Sequence, residues 1–461
     1  MPPSKPPKIR LIHYLGYFAY RTFEFVLRVF PMEMVATLGH ILGSIGWAIM
    51  PERRRTVIRN LRIAHGDQFD LAQIKRLCRQ TFKNATANLL TSLRINTLKP
   101  GQLEDYIELQ GSEHLTKIRE ANLGAIYLLA HMGNWEALSH LQLPIDNPAP
   151  FAGLYRPIDN PLLDNLVKRR RENSGTKLFS KRDGFFKPIA HLKSGGNLGA
   201  IADQNARHHG MALPLFGKLT SMSNLPALMH RRAGTPIIPI SVCTVTPGRW
   251  VINIHPPIDI PSERKKDTHY VSTLCCKAYE KMMSESPADV LWMHNYWRIS
   301  QRRPLKIFGV KKEGYANNIT QPFHILIYTG NDDEDARETI TQLERLRAYR
   351  SDIYITTAGK YPVYAEADHH IPCNPGEPPH LSSNAIQAYE TTRTSPIDCA
   401  LDFTDDGSGS CLLEKAGLST IRGRQGKWMS EQTREIYQKH NDKSISLFLT
   451  SLGLNDISQE N

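Results

Sequence analysis

At 461 residues, with 41% hydrophobic and 22% charged side chains, the chain is globular in composition and long enough for two domains, each able to bury a core. A formal charge of +12 and a pI near 9.3 point to an anionic partner, whether nucleic acid, an acidic protein or a membrane surface. No basic patch interleaved with stacking aromatics forms a recognisable nucleic-acid module, so no nucleic acid is expected as partner. The seven cysteines are odd in number and lack metal-ligand spacing, and no Walker loop is present, so reduced thiols, no metal and no nucleotide cofactor for the first domain are expected.

The first 62 residues read as a membrane-associating segment. They hold ten Lys/Arg against Glu24, Glu33 and Glu52, a net +7. Leu11 to Tyr20 and Phe23 to Pro31 are aromatic-rich, interrupted by Arg21, Glu24 and Arg28, and Met34 to Met50 carries no charge. That last stretch has 17 residues, the lower limit for a span, and contains His40 and three glycines. No small-residue cleavage site follows, which argues against a signal peptide. An anchor lying in the inner leaflet, with Arg53, Arg54 and Arg55 on anionic headgroups, fits best; a true span stays open.

Leu71 to Ile95 shows helical apolar spacing, and from residue 107 short strands alternate with helices. Strands are expected at 107–109, 124–130, 151–155, 199–202, 237–245 and 250–254, and helices at 135–142, 161–174 and 269–284. This predicts an α/β sandwich on a mostly parallel sheet, occupying residues 63–307, with ligands at the strand C-terminal ends, where His131, Arg156 and Asp203 fall.

The sharpest feature is the run from Ala125 to Glu136, an apolar strand ending on His131 that turns into a helix bearing Glu136. On one helix the two would stand about 140° apart, so they meet only if the histidine precedes it. Gly133 permits the turn, Asn134 is a good N-cap, and Glu136 in the first turn reaches back toward the imidazole. A carboxylate-oriented histidine is a general base, with helix N-terminal amides around Gly133 and Asn134 near a developing oxyanion. The plain alternative is a dipole-favoured glutamate beside an ordinary strand-end histidine.

His131-Met-Gly-Asn-Trp-Glu136 resembles the signature of the bacterial lipid A late acyltransferases, within the lysophospholipid acyltransferase superfamily. Further blocks come in family order: Tyr155 to Asp164, Ala202-Asp203-Gln204, Leu213 to Gly217, Ala233 to Ile240, and Trp292 to Arg298. The resemblance covers about residues 10 to 304. It departs at Arg62 to Gly66, where relatives carry a Phe-Pro pair, and in the histidine-rich Asn205 to Gly210. It implies transfer of a fatty acyl group from acyl carrier protein or acyl-CoA to a hydroxyl of a lipid A precursor, at the cytoplasmic face of the inner membrane. Arg156 would meet phosphate, carboxylate or the thioester oxyanion, and Asp203 would hold Arg156 or a substrate group. Gln204 would orient substrate, Asn160 would bind substrate or fix the helix start, and Arg298 would meet a phosphate or lie solvated beside packed aromatics. With no serine or cysteine nucleophile motif beside His131, direct attack by the acceptor is expected.

Beyond Arg302-Arg303-Pro304 the family likeness stops. Residues 310–321 read as a linker, and residues 308–461 as a smaller Rossmann-like accessory domain, with strands at 323–328, 352–356, 399–403 and 418–421 and helices at 334–350, 383–392 and 407–416. Asp406, Gly407, Ser408 and Gly409 at a helix start are placed to bind a nucleotide phosphate, and the region distantly resembles the nucleotide-binding half of heptosyltransferases. Competing functions are acylation of another glycolipid or a lysophospholipid, a lipid-binding pseudoenzyme, and a glycosyltransferase.

Overall fold

The structure is a computed structural model. It describes residues 9–95, 98, 101–102, 104–121, 123–140, 150–155, 157–173, 175–180, 184–298 and 319–330, together with 336–337, 340–341, 343–344, 347, 352–360, 366–373, 379–393, 395–404, 408–415, 418 and 420–422. The chain divides into two compact units. The first comprises residues 1–54, 76–204 and 222–294, and the second residues 55–75, 205–221 and 295–461.

Four helices come first: α1 (Leu11–Val29), α2 (Met32–Ile49), α3 (Pro51–His65) and α4 (Leu71–Ile95). Helix α1 runs straight through Arg21, Glu24 and Arg28, which interrupt the apolar pattern of the sequence. The reason is tertiary: Glu24 is buried and paired with Arg170. Helix α2 is long and apolar enough to cross a membrane by length and composition. One face packs on α4, where a Cβ on Gly39 would come within 2.3 Å of the Ala87 Cα and one on Gly43 within 2.4 Å of the Phe82 carbonyl oxygen. Its other face exposes Met34, Leu38, Ile41, Leu42, Ile45 and Ile49.

The first unit is built on strands β1 (Ile107–Gln110), β2 (Ile126–Leu129), β3 (Phe151–Tyr155), β4 (Lys177–Ser180), β5 (Asn197–Ile201), β8 (Ile237–Thr246) and β9 (Arg249–Ile254). They form one sheet in the order β1-β9-β8-β2-β5-β3-β4, parallel throughout except for the β8–β9 hairpin. Strand β2 reads Ile-Tyr-Leu-Leu and is buried on both faces, as a central parallel strand should be. Helices α5 (Glu113–Glu120), α6 (Pro161–Asn173), α7 (Phe186–Lys193) and α8 (Leu225–Ala233) lie in the connections between strands, and α9 (Thr268–Glu285) follows β9. The core gathers Tyr127, Leu129, Phe151, Ile238, Ile240, Trp250 and Ile252. Strand β4 and helices α5, α7 and α8 are not among the expected elements, being short and flanked by polar residues.

In the second unit, β6 (Met211–Leu215) pairs with β7 (Lys218–Met222) in a hairpin. Strands β10 (Phe323–Gly330), β11 (Ile353–Gly359), β12 (His369–Pro372), β13 (Cys399–Asp402) and β14 (Thr420–Arg422) form a second, wholly parallel sheet in the order β12-β11-β10-β13-β14. Alternate residues point to opposite cores. Ile325, Ile327, Ile355 and Leu401 meet Ala336, Ile340 and Leu343, and Leu326, Ala358 and Ala400 meet Ile386, Leu412 and Leu413. Helices α10 (Pro379–Thr392) and α11 (Ser408–Lys415) supply the latter side. Strand β12 is not among the expected strands, and the expected linker at 310–321 lies mostly outside the described residues.

Asp398 ties this unit together. Its carboxylate takes Arg59 of α3 and Lys218 of β7 at 2.6 Å each and the His324 amide at 2.8 Å. Lys218 is fully buried and also donates to Pro322 O and Ser395. Burial pulls its ammonium below the ordinary lysine range, with Asp398 opposing that pull.

Candidate active site

The site grows from the register of two adjacent parallel strands. Leu129 at the end of β2 stands opposite Ile201 at the end of β5. Two residues further on each strand, His131 meets Asp203. One carboxylate oxygen lies 2.6 Å from His131 Nδ1, and the other accepts the His131 backbone N–H at 3.0 Å. Asp203 is fully buried, and the imidazole is 22% exposed. The Trp135 ring meets the imidazole edge-on at 5.6 Å, limiting its rotation. On α9, burial pushes the Tyr279 phenol well above its ordinary range, and the Asp203 charge adds to that push.

A second strip of chain holds the histidine backbone. Met132 bridges Val290, Leu291 N donates to His131 O at 2.9 Å, and Gly133 N donates to Asp289 O at 3.0 Å. Asp289 is itself buried and accepts from Asn84, Ser286 and the Thr244 amide and hydroxyl. Gly133 adopts φ +56°, and a Cβ there would sit 2.2 Å from Val242 O. The turn role expected of Gly133 therefore has both a conformational and a steric cause. Its oxyanion role needs correcting: the amide is committed to Asp289, because this segment pairs with residues 289–291. The side-chain amide of Asn134 donates to Thr91 of α4 at 3.2 Å, and Ala137 N bonds its backbone carbonyl. The chain then enters a 3₁₀ helix, Trp135–His140, in place of the expected α-helix.

Glu136 lies in the first turn of that helix, as expected, with both carboxylate oxygens 2.9 Å from Arg171 on α6. The neighbouring Arg170 makes a two-pronged pair with buried Glu24 of α1. Consecutive arginines on one helix thus reach the motif glutamate and the N-terminal helix. Neither stands out in the sequence, where both fall within the helix expected at 161–174.

The remaining expected residues divide. Asn160 fixes the helix start, one of the two roles expected of it: its oxygen caps Leu162 N at 3.0 Å and its amide donates to His13 O at 2.9 Å, docking α1. Gln204 comes directly after Asp203 and is half-buried. Arg156, Asp406 and Gly407 lie outside the described residues. In the second unit, Tyr296 and Trp297 of the aromatic block are buried while Arg298 is exposed. Ser408 and Gly409 open α11, where Gly409 N donates to Thr404 and its α-carbon lies so close to Asp402 that a Cβ would be 2.3 Å from the carboxylate. Among the described residues, no group of three His, Cys, Asp or Glu has metal-binding geometry. Burial pushes the thiols of Cys78 to about 11 and of Cys243 and Cys275 to about 12, so these are inert.

The family described as bacterial lipid A biosynthesis acyltransferase matches residues 3–299. The chain belongs to that family and is an acyltransferase. It is similar to the lipid A biosynthesis lauroyltransferase of Escherichia coli, 22% identical over 274 residues that cover 58% of this chain and 86% of that protein. It is also similar to a phosphatidylinositol mannoside acyltransferase of Mycolicibacterium smegmatis, 21% identical over 45% of this chain and 67% of the relative. A third relative, a lipid A biosynthesis acyltransferase of Haemophilus influenzae, is 20% identical over 41% of this chain and 59% of its own length.

Proposed function

We propose that this acyltransferase moves a fatty acyl group from the thioester of an acyl carrier protein or acyl-CoA to a hydroxyl of a membrane glycolipid, a lipid A precursor, with His131 as general base. The carrying observation is the Asp203 carboxylate 2.6 Å from His131 Nδ1. A carboxylate there favours the Nδ1–H tautomer and makes Nε2 the basic nitrogen. In this reading Nε2 takes the acceptor's proton as its oxygen bonds to the thioester carbon. The tetrahedral intermediate collapses, the C–S bond breaks, and the imidazolium returns the proton to the thiolate. Such a base contributes about 10²–10⁴-fold. Glu136, the carboxylate of the motif itself, is clamped by Arg171. The inert, buried thiols speak against a cysteine acyl-enzyme.

The N-terminal helices supply the membrane contact, at the cytoplasmic face of the inner membrane. Their exposed stripe, Leu11, Leu15, Phe18, Phe25 and Val29 on α1 with Leu38, Ile41, Ile45 and Ile49 on α2, suits an interfacial anchor. Release of the protein from membranes by high salt alone, without carbonate, would count against an embedded anchor. The second sheet, with its first strand central and the order 3-2-1-4-5, supports a Rossmann-like accessory domain over 308–461. The deciding assay is acyl transfer to lipid A precursors and to lysophospholipid with wild-type, His131→Ala and Glu136→Ala protein. Activity on the glycolipid that disappears in both variants is expected, and near-native transfer by either removes that residue from catalysis.

A further inference from the structure

A second apolar feature of the first unit lies far from α1 and α2 in sequence. Phe185 and Phe186 open helix α7 and are 46% and 85% exposed, while Pro188 and Leu192 of the same helix are buried. The helix is held to the protein by one face while its first turn points two aromatic rings into solvent. Gly184, at φ +73°, has nothing within 4 Å of where a Cβ would sit, so space is open at that position just before the helix.

The sheet fixes which edge carries these rings. Strands β4, β3, β5 and β2 are consecutive and parallel, so Ser180, Tyr155, Ile201 and Leu129 end on one side. Helix α7 starts from the edge where β4 ends, the same edge from which His131 and Asp203 emerge. The first turns of α1 belong there too, since Asn160, just past β3, holds His13 O. Ile158, 43% exposed, lies on the β3 connection between them. In sequence the pair is bracketed by Lys181, Arg182 and Lys187 against Asp183 alone, a charge that complements phosphate headgroups. Exposed aromatics flanked in sequence by lysine and arginine have the composition of an interfacial wedge.

We propose that Phe185 and Phe186 form a second membrane-contacting element, which enters the headgroup region of an anionic bilayer and seats the His131 edge on the lipid surface. Two contacts, α1–α2 and this wedge, fix the tilt of the sheet where one would leave it free to swing. An acceptor hydroxyl at the headgroup level then reaches the base without its lipid leaving the bilayer. This inference rests on the membrane reading of the N-terminal helices, so its test carries a separate readout for each.

The experiment uses the full-length protein with Cys411→Ser, which removes the exposed thiol and leaves the six buried ones. An NBD fluorophore is attached at Phe186→Cys or, in a second preparation, at Phe18→Cys on α1. Each is mixed with vesicles of phosphatidylcholine containing about one third phosphatidylglycerol, with vesicles of phosphatidylcholine alone, and with acyl carrier protein. The expected result is a blue-shifted, brighter emission at position 186 on the anionic vesicles, quenched by lipids labelled near the headgroup. Phe185→Ser/Phe186→Ser, with an unchanged thermal transition, should bind the same vesicles about tenfold more weakly. A response at position 18 with none at 186 overturns the wedge and keeps the anchor. No response at either overturns the membrane reading as well. A response at 186 to carrier protein, or to rising protein concentration without vesicles, assigns the patch to a protein partner and also overturns the proposal.

Discussion

Asparagine at position 203 is the most informative perturbation, because the two oxygens of Asp203 do different work. Oδ2 accepts the His131 amide at 3.0 Å and Oδ1 faces Nδ1 at 2.6 Å. An amide has one acceptor oxygen. If that oxygen serves the backbone N–H, the NH₂ group faces Nδ1, which must then accept, and the ring proton moves to Nε2 where the base is needed. If the amide is turned round, two N–H donors collide in a fully buried position, costing about 1–3 kcal/mol for the lost bond. The first arrangement loses the productive tautomer, and the second keeps it only at the cost of that buried donor–donor clash. The expected fall in kcat is about 10²–10⁴-fold, equivalent to about 3–5 kcal/mol of transition-state stabilisation, with KM little changed. The assay is steady-state transfer from an acyl thioester to glycolipid in mixed micelles across pH, with circular dichroism confirming the fold. Because the carboxylate stabilises the imidazolium, the acidic limb of kcat/KM should move to lower pH in the variant. Asp203→Asn retaining activity within about threefold, while Glu136→Gln loses it, would refute the assignment and return the orienting role to Glu136.

Three further outcomes are expected. Gly133→Ala forces a Cβ against Val242 O at a left-handed backbone position, so both the melting temperature and kcat should drop, and an unchanged pair of values would show that the turn tolerates a side chain. Glu24→Ala strands Arg170 in a site where it is 17% exposed, and a loss of about 3 kcal/mol by denaturant titration is expected, against little change for exposed Glu52→Ala. His324 is held neutral by burial, its value lowered to about 3 although Asp398 pulls the other way. The unfolded chain binds the extra proton, so the stability of β10 is full above about pH 6.5 and declines as pH falls toward 3, by about 2 kcal/mol at pH 5. Amide exchange along β10, corrected for intrinsic rates, should show this decline, and His324→Gln should flatten it.

Much of the frame is legible in the residues alone. Strand β3 and helix α4 fall where their apolar spacing predicts, and β2, β8, β9 and α9 within two residues, because each is long or strongly patterned. The short polar-flanked β4 and α7 carry too few residues for a pattern to show, and β12, His369–Pro372, looks like loop.

By itself, the amino-acid sequence determined the acyltransferase family, the strand–turn–motif around His131 and the basic, aromatic N-terminus, since each is a local string of residues. Only the tertiary structure decided what surrounds that histidine. Asp203 reaches it because β2 and β5 are neighbours in register across 72 residues, and Arg171 reaches Glu136 across 35. It likewise turned Glu24 from an interruption into a buried ion-pair partner and left Phe186 exposed. Strand order and register are set by how the whole core packs, and no local pattern encodes which distant carboxylate a parallel neighbour will bring.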